Sequence, residues 1–206
     1  MGFHQNLYPQ GAAWSKGEFT LKNQIFYLLL FLSVNILTGC SKPQTCEVST
    51  LDIEALLITI EDMPTPLSWS TSGPGNVFLD RERTSDTIYI AFVSDIYPYL
   101  GTDQEVFRYQ TIKDAERDFK YASEYFGNGY FPDGWTFTSE VVDESHFSCR
   151  DGVSVDFPMC YWIARYDCIV IECRSWLITE RMTLEDMENI VRKIDKKSSE
   201  LIPDCY

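Results

Sequence analysis

The sequence predicts an α+β fold: an antiparallel β-sheet with two or three helices packed on one face, stabilised by disulfides. Three observations carry that expectation. Alternating β-branched and aromatic runs recur between turn residues, three segments show helical periodicity behind capping residues, and the regular strand–helix alternation that builds a parallel sheet is missing. The 206 residues are 45% hydrophobic and 15% aromatic, which suits one sizeable core and excludes a largely disordered chain.

The first helix is expected over Ile53, Leu56, Leu57 and Ile60, an i, i+3, i+4, i+7 stripe behind a Ser49–Asp52 capping box and limited by Pro64. The second carries Ile112, Ala115, Phe119, Ala122 and Phe126 on one side, starts at Thr111 with Asp114, and stops at Gly127. The third presents Leu184, Met187, Ile190, Val191 and Ile194 after Thr183 and Asp186. Its charges run from acidic Glu185, Asp186 and Glu188 to basic Arg192, Lys193, Lys196 and Lys197, complementing the helix dipole. Strands are expected at 76–82, 87–93, 105–109, 136–142, 153–157, 159–165 and 169–176. Only Tyr166, Asp167 and Cys168 separate the last two, so they form a tight hairpin.

The amino-terminal segment has a different logic. Residues 25–37 (IFYLLLFLSVNIL) are apolar, follow Lys22 and precede small residues, the layout of a secretory signal. Thirteen residues fall short of the roughly 20 that a membrane-spanning helix needs. The run ends in Leu37-Thr38-Gly39-Cys40, which resembles the lipobox of bacterial lipoproteins. That resemblance implies a diacylglyceryl group on the Cys40 thiol, palmitate-type acyl chains, and cleavage that makes Cys40 the first residue. Residues 1–39 are then a signal peptide, 40–48 a lipidated tether and 49–206 a single extracytoplasmic domain. A signal starting at Leu21 already has its short basic start, so residues 1–20 read as an extension ahead of the true start. Gly2 does not make a myristoylation site, because Asn6 stands where Ser or Thr is needed. Ser41 after the cysteine resembles an outer-membrane address in two-membrane bacteria and means the outer face of the cell membrane in others.

Removing residues 1–39 leaves 15 basic against 30 acidic residues in the 167 that remain, a net charge of −15. Such a surface repels phosphate backbones, so nucleic acid is not expected as a partner, and attachment to a membrane rests on the acyl chains of Cys40.

Seven cysteines with two histidines favour an oxidising compartment over a metalloenzyme. With Cys40 set aside, Cys46, Cys149, Cys160, Cys168, Cys173 and Cys205 form an even set with 15 possible connectivities. Cys168 and Cys173 lie an odd number apart and cannot bond each other on one continuous strand. If Tyr166 and Asp167 make the turn, Cys160 faces Cys173 and Cys149 can take Cys168. In another register Cys149 pairs with Cys160 across the Asp151-Gly152 turn. The first expectation is Cys46–Cys205, which closes nearly the whole mature chain. No CxxC occurs and the mature chain keeps one histidine, so neither zinc nor any other cofactor is expected.

Asp143, Glu144 and His146 are the densest set of acid–base groups and the basis of an alternative reading as a hydrolase, although adjacent polar residues at a strand end are more often a solvated turn. A GxSxG nucleophile turn is absent. Asp133-Gly134 and Asp151-Gly152 read as turns, without the acidic spacing of calcium loops. Aromatic side chains on loops can stack on ligands while their polar tips stay wet. Tyr97, Tyr99, Tyr130 and Phe131 are the candidate binding residues on that ground, while Phe126 and Trp135 go to the core.

The run Leu56 to Pro64, the cysteines Cys149 and Cys160, and the hairpin Ala164 to Val170 before a terminal helix resemble extracellular sensor-type domains of bacteria. Among these is the disulfide-bonded extracellular domain of some mycobacterial Ser/Thr kinases. Cys168 and Cys173 depart from that pattern, and no binding residue transfers. The resemblance implies a membrane-anchored, non-enzymatic domain that binds a small ligand or another envelope protein.

Overall fold

The computed structural model describes residues 46, 50–65, 68–75, 84–96, 101–152, 157–178 and 182–202. The signal segment, Cys40, Ser49, Tyr97, Tyr99, Cys205, the strand expected at 76–82 and most of that expected at 153–157 lie outside them. Six strands are seen: β1 (Trp69–Gly75), β2 (Thr84–Ser94), β3 (Gly101–Tyr109), β4 (Glu144–Arg150), β5 (Met159–Tyr166) and β6 (Ile169–Trp176). They make one antiparallel sheet in the order β1-β2-β3-β6-β5-β4. The α+β expectation is met in this sheet, two α-helices and two disulfides.

Helix α1 (Ile112–Phe126) and helix α2 (Leu184–Leu201) form where their stripes and caps place them. Thr111 and Thr183 each accept the N–H three residues on, and the Asp186 carboxylate returns a bond to the Thr183 N–H (2.8 Å). Thr183→Ala is expected to lower stability by about 1 kcal/mol in urea unfolding, because it strips this cap without touching the core. Neither described helix is long and apolar enough to cross a membrane.

The helices cover both faces of the sheet rather than one. Pleating sends Val106, Ile171, Trp162, Ala164 and Ile169 to one side, where they pack with Met187, Ile190, Val191 and Ile194 of α2. Phe107, Val170, Tyr161 and Ile163 point the other way, to Ala115, Phe119 and Ala122 of α1. Phe126 closes that second core by stacking on Tyr161, with ring centroids 3.6 Å apart. At these positions β3, β5 and β6 are apolar on both faces, and one layer of helices could not have buried them.

The helix expected at 53–60 is instead two 3₁₀ turns, Ile53–Leu56 and Ile60–Asp62. Gln104 of β3 breaks the stripe: its side chain accepts from the Ile58 N–H (2.7 Å) and donates to the Leu56 carbonyl (3.1 Å). Lys197 takes the Leu57 carbonyl (2.8 Å). These bonds hold Ile58 in the core and turn Ile60 outward. The strand expected at 136–142 is not formed either. The Thr136 N–H and hydroxyl donate to Glu188 of α2 (2.9 and 2.7 Å), and Ser139 donates to Asp195 (2.5 Å), so helix side chains take the place of a strand partner. The strand there is β4, which begins at Glu144.

The β5–β6 hairpin is as tight as expected, but its turn residues are Asp167 and Cys168, with Tyr166 opposite Ile169. Asp167 takes the left-handed conformation (φ 54°), which Asp tolerates. Tyr166 stays in the strand because its hydroxyl donates to Asp195 (2.6 Å) while its ring is buried. This register sets Cys160 opposite Ser175 and Cys173 opposite Trp162, so Cys160–Cys173 does not form. Cys149 bonds Cys160 and Cys46 bonds Cys168, which overturns Cys46–Cys205 and Cys149–Cys168. Cys173 is unpaired and fully buried, and burial pushes its thiol pKa far up.

Candidate functional site

Exposed aromatic side chains gather where the carboxyl end of α1 meets the edge strand β4. The chain leaves α1 at Gly127 and folds back so that Tyr130 and Cys149 exchange both backbone hydrogen bonds, each 2.8 Å. Only glycine fits at position 129, since a Cβ there would lie 2.3 Å from the Cys149 carbonyl oxygen. The bridge covers part of the β4 edge and fixes the backbone that carries Tyr130 and Phe131. Both side chains stay in solvent, 45% and 63% exposed.

Around them the rings form a band that wraps the edge. Phe131 meets Phe147 edge-on at 6.0 Å, and Trp135 stacks on the same ring at 3.6 Å. On the α1 side Tyr125 packs edge-on against Phe126 (4.8 Å), with the Arg150 guanidinium 5.7 Å from the Phe126 ring. Tyr121, one turn before Tyr125, is equally exposed. Phe126 and Trp135 thus belong to packed layers, whereas Tyr121, Tyr125, Tyr130 and Phe131 present aromatic area to solvent. Tyr121 and Tyr125 stand off the apolar stripe of α1.

The acid–base cluster is arranged differently from a catalytic site. Asp143 and Glu144 both engage Arg165, at 3.0 and 3.1 Å. Asp143 also accepts the Asp167 N–H, tying the β5–β6 turn to the start of β4. His146 lies on the same side of β4 as Glu144, two residues on. Its Nε2 is buried with no hydrogen-bond partner, and burial holds its pKa below the ordinary histidine value, which favours the neutral ring. Asp143 is thus an exposed bend residue just before β4, with Glu144 and His146 on the strand itself, and both carboxylates turn to a structural guanidinium. Asp133-Gly134 is a turn, Gly134 having φ 99°. Among the described residues no group of His, Cys, Asp and Glu converges as a metal site.

Sequence reasoning missed one charged constellation. On the α1 side of the sheet Asp103 and Glu105 of β3 face Arg174 and Glu172 of β6. Arg174 bonds Asp103 through Nε (2.6 Å) and Glu105 through Nη2. Glu105 and Glu172 are buried, 4% and 1% exposed. Burial pushes the Asp103 carboxyl above its ordinary range despite Arg174, and it opposes the Arg174 charge, which the carboxylates nonetheless hold. The signal was charge at alternate positions, Asp103 and Glu105 on β3 and Glu172 and Arg174 on the largely apolar β6.

Neither the protein-family models nor the curated proteins compared with this chain give a match.

Proposed function

We propose that this chain is a membrane-anchored extracytoplasmic lipoprotein of the cell membrane or outer membrane, held by acyl chains on Cys40. Its domain binds a small ligand or another envelope protein through the aromatic band, in the manner of the bacterial sensor-type domains it resembles. The observation that carries the binding half is the fixed exposure of Tyr130 and Phe131 beside the Cys149 bridge. Two disulfides support an oxidising compartment, and the Leu37–Cys40 motif supports the anchor. The hydrolase alternative gains no support from Asp143 and Glu144, which are engaged by Arg165.

The double substitution Tyr130→Ser with Phe131→Ser separates binding from packing. Exposed rings cost little to remove, so stability is expected to fall by less than about 1 kcal/mol. As contact residues of an interface they are expected to contribute about 2 kcal/mol or more, roughly a 30-fold loss of affinity. The measurement is a thermal melt beside chemical cross-linking in intact cells, comparing the two proteins. An unchanged melt with a lost adduct is the expected result. A melt lowered as far as a core truncation lowers it, with adducts unchanged, would return these rings to packing.

A further inference from the structure

Two cysteines six residues apart, one the proposed lipid anchor and one pinned to the fold, limit how far one end of the domain can stand from the membrane. Cys46 bonds Cys168, the second turn residue of the β5–β6 hairpin. Resting on the proposed acylation of Cys40, the reach from acyl chain to pin is at most about 20 Å, six residues fully extended. The end of the sheet at that turn also holds Tyr109, whose N–H donates to the Cys168 carbonyl (2.9 Å), the exposed Gln110 and the exposed Ser85.

The aromatic band is at the other end. Along β5, six residues separate Tyr166 at the hairpin from Cys160, about 20 Å of strand. Cys160 bonds Cys149, and Cys149 bridges Tyr130. Charge gives the domain no reason to lie on its side: α1 carries three basic against four acidic residues and α2 four against five, so neither helix would be drawn to anionic headgroups.

We propose that the Cys46–Cys168 bond docks the domain with its β5–β6 turn toward the bilayer, so that Tyr130 and Phe131 face away from it and meet a water-soluble partner rather than lipid. Exposed aromatic rings can also serve as interfacial membrane anchors, and a pin at the opposite end of β5 favours the first role.

The test uses the full chain, matured in a bacterial host and placed in vesicles containing a lipid with gadolinium chelated at its headgroup. Amide relaxation is then read residue by residue. Ser85, Gln110 and Asp167 are expected to relax several-fold faster than Tyr130, Phe131 and Arg150. A uniform profile, or one with the aromatic band fastest, overturns the orientation. Intact mass of the same sample reports on the anchor separately. An acyl group on Cys40 with the wrong gradient sinks the orientation alone, and a protein without that group sinks both. Cys46→Ser with Cys168→Ser, provided its amide spectrum remains that of the folded domain, is expected to flatten the gradient while leaving acylation intact. A gradient that survives in that variant would show that the bond does not set the orientation.

Discussion

Arg174→Leu is expected to lower the stability of the domain by about 3 kcal/mol at neutral pH, and by less as the pH falls. Arg174 is the guanidinium that faces Asp103 and Glu105 on the sheet, with Glu172 beside them. Removing one partner of a buried ion pair costs about 3–5 kcal/mol, because a charge stays in a poorly solvated place without its counter-charge. The lower end applies here, since the side chains of Arg174 and Asp103 keep 24% and 28% of their surface in water.

The pH dependence follows from the same geometry. Without the guanidinium, nothing offsets the burial that already raises the Asp103 carboxyl, so its pKa in the folded state moves further above that of the unfolded chain. A carboxyl with a raised folded pKa binds its proton more tightly when folded, so its penalty is small below the unfolded value and grows as pH rises toward the folded value. Urea midpoints at neutral pH and at about pH 5 provide the measurement, and the gap between wild type and variant should narrow in acid. A midpoint equal to wild type at neutral pH, or a gap that widens in acid, contradicts the assignment of these charges to one buried cluster.

How far the structure could be read from the sequence depended on whether the deciding contacts are local. Helices α1 and α2 were legible because stripe and cap lie within a few residues: Thr111 with Asp114, and Thr183 with Asp186. Their placement on opposite faces was harder to see, although the unbroken apolar run of Ile169, Val170 and Ile171 already marks a strand buried on both sides. The segment at 53–60 was misread because Gln104, 46 residues from Ile58, supplies the bonds that break its helix. The extended segment at 136–142 was misread because Glu188 and Asp195 bind it from α2. Tyr130 and Phe131 were legible as exposed loop aromatics, whereas the band around them depends on a bridge to Cys149. The charged cluster was hidden for a similar reason, since Asp103 and Arg174 meet only through the pairing of β3 with β6, 71 residues apart.

Replacing Cys46 and Cys168 together by Ser is expected to destabilise the domain more than any other single bond removal among the described residues. The two cysteines are 122 residues apart, and closing so long a loop limits the unfolded chain by about 5 kcal/mol in the chain-entropy account. Cys149 and Cys160 are separated by 11 residues, and the same relation gives about 3 kcal/mol. Urea unfolding of the two paired-Ser variants should therefore rank them in that order, and equal losses would argue that native packing rather than loop closure sets the effect. Cys173 makes a second check possible. Buried beside Trp162 with its thiol pKa pushed up by burial, it should resist alkylation in the folded protein and react once urea unfolds the chain. Peptides from an unreduced digest should join Cys46 to Cys168 and Cys149 to Cys160. A peptide joining Cys46 to Cys205 would release the tether from the β5–β6 turn and remove the basis for the membrane orientation as well.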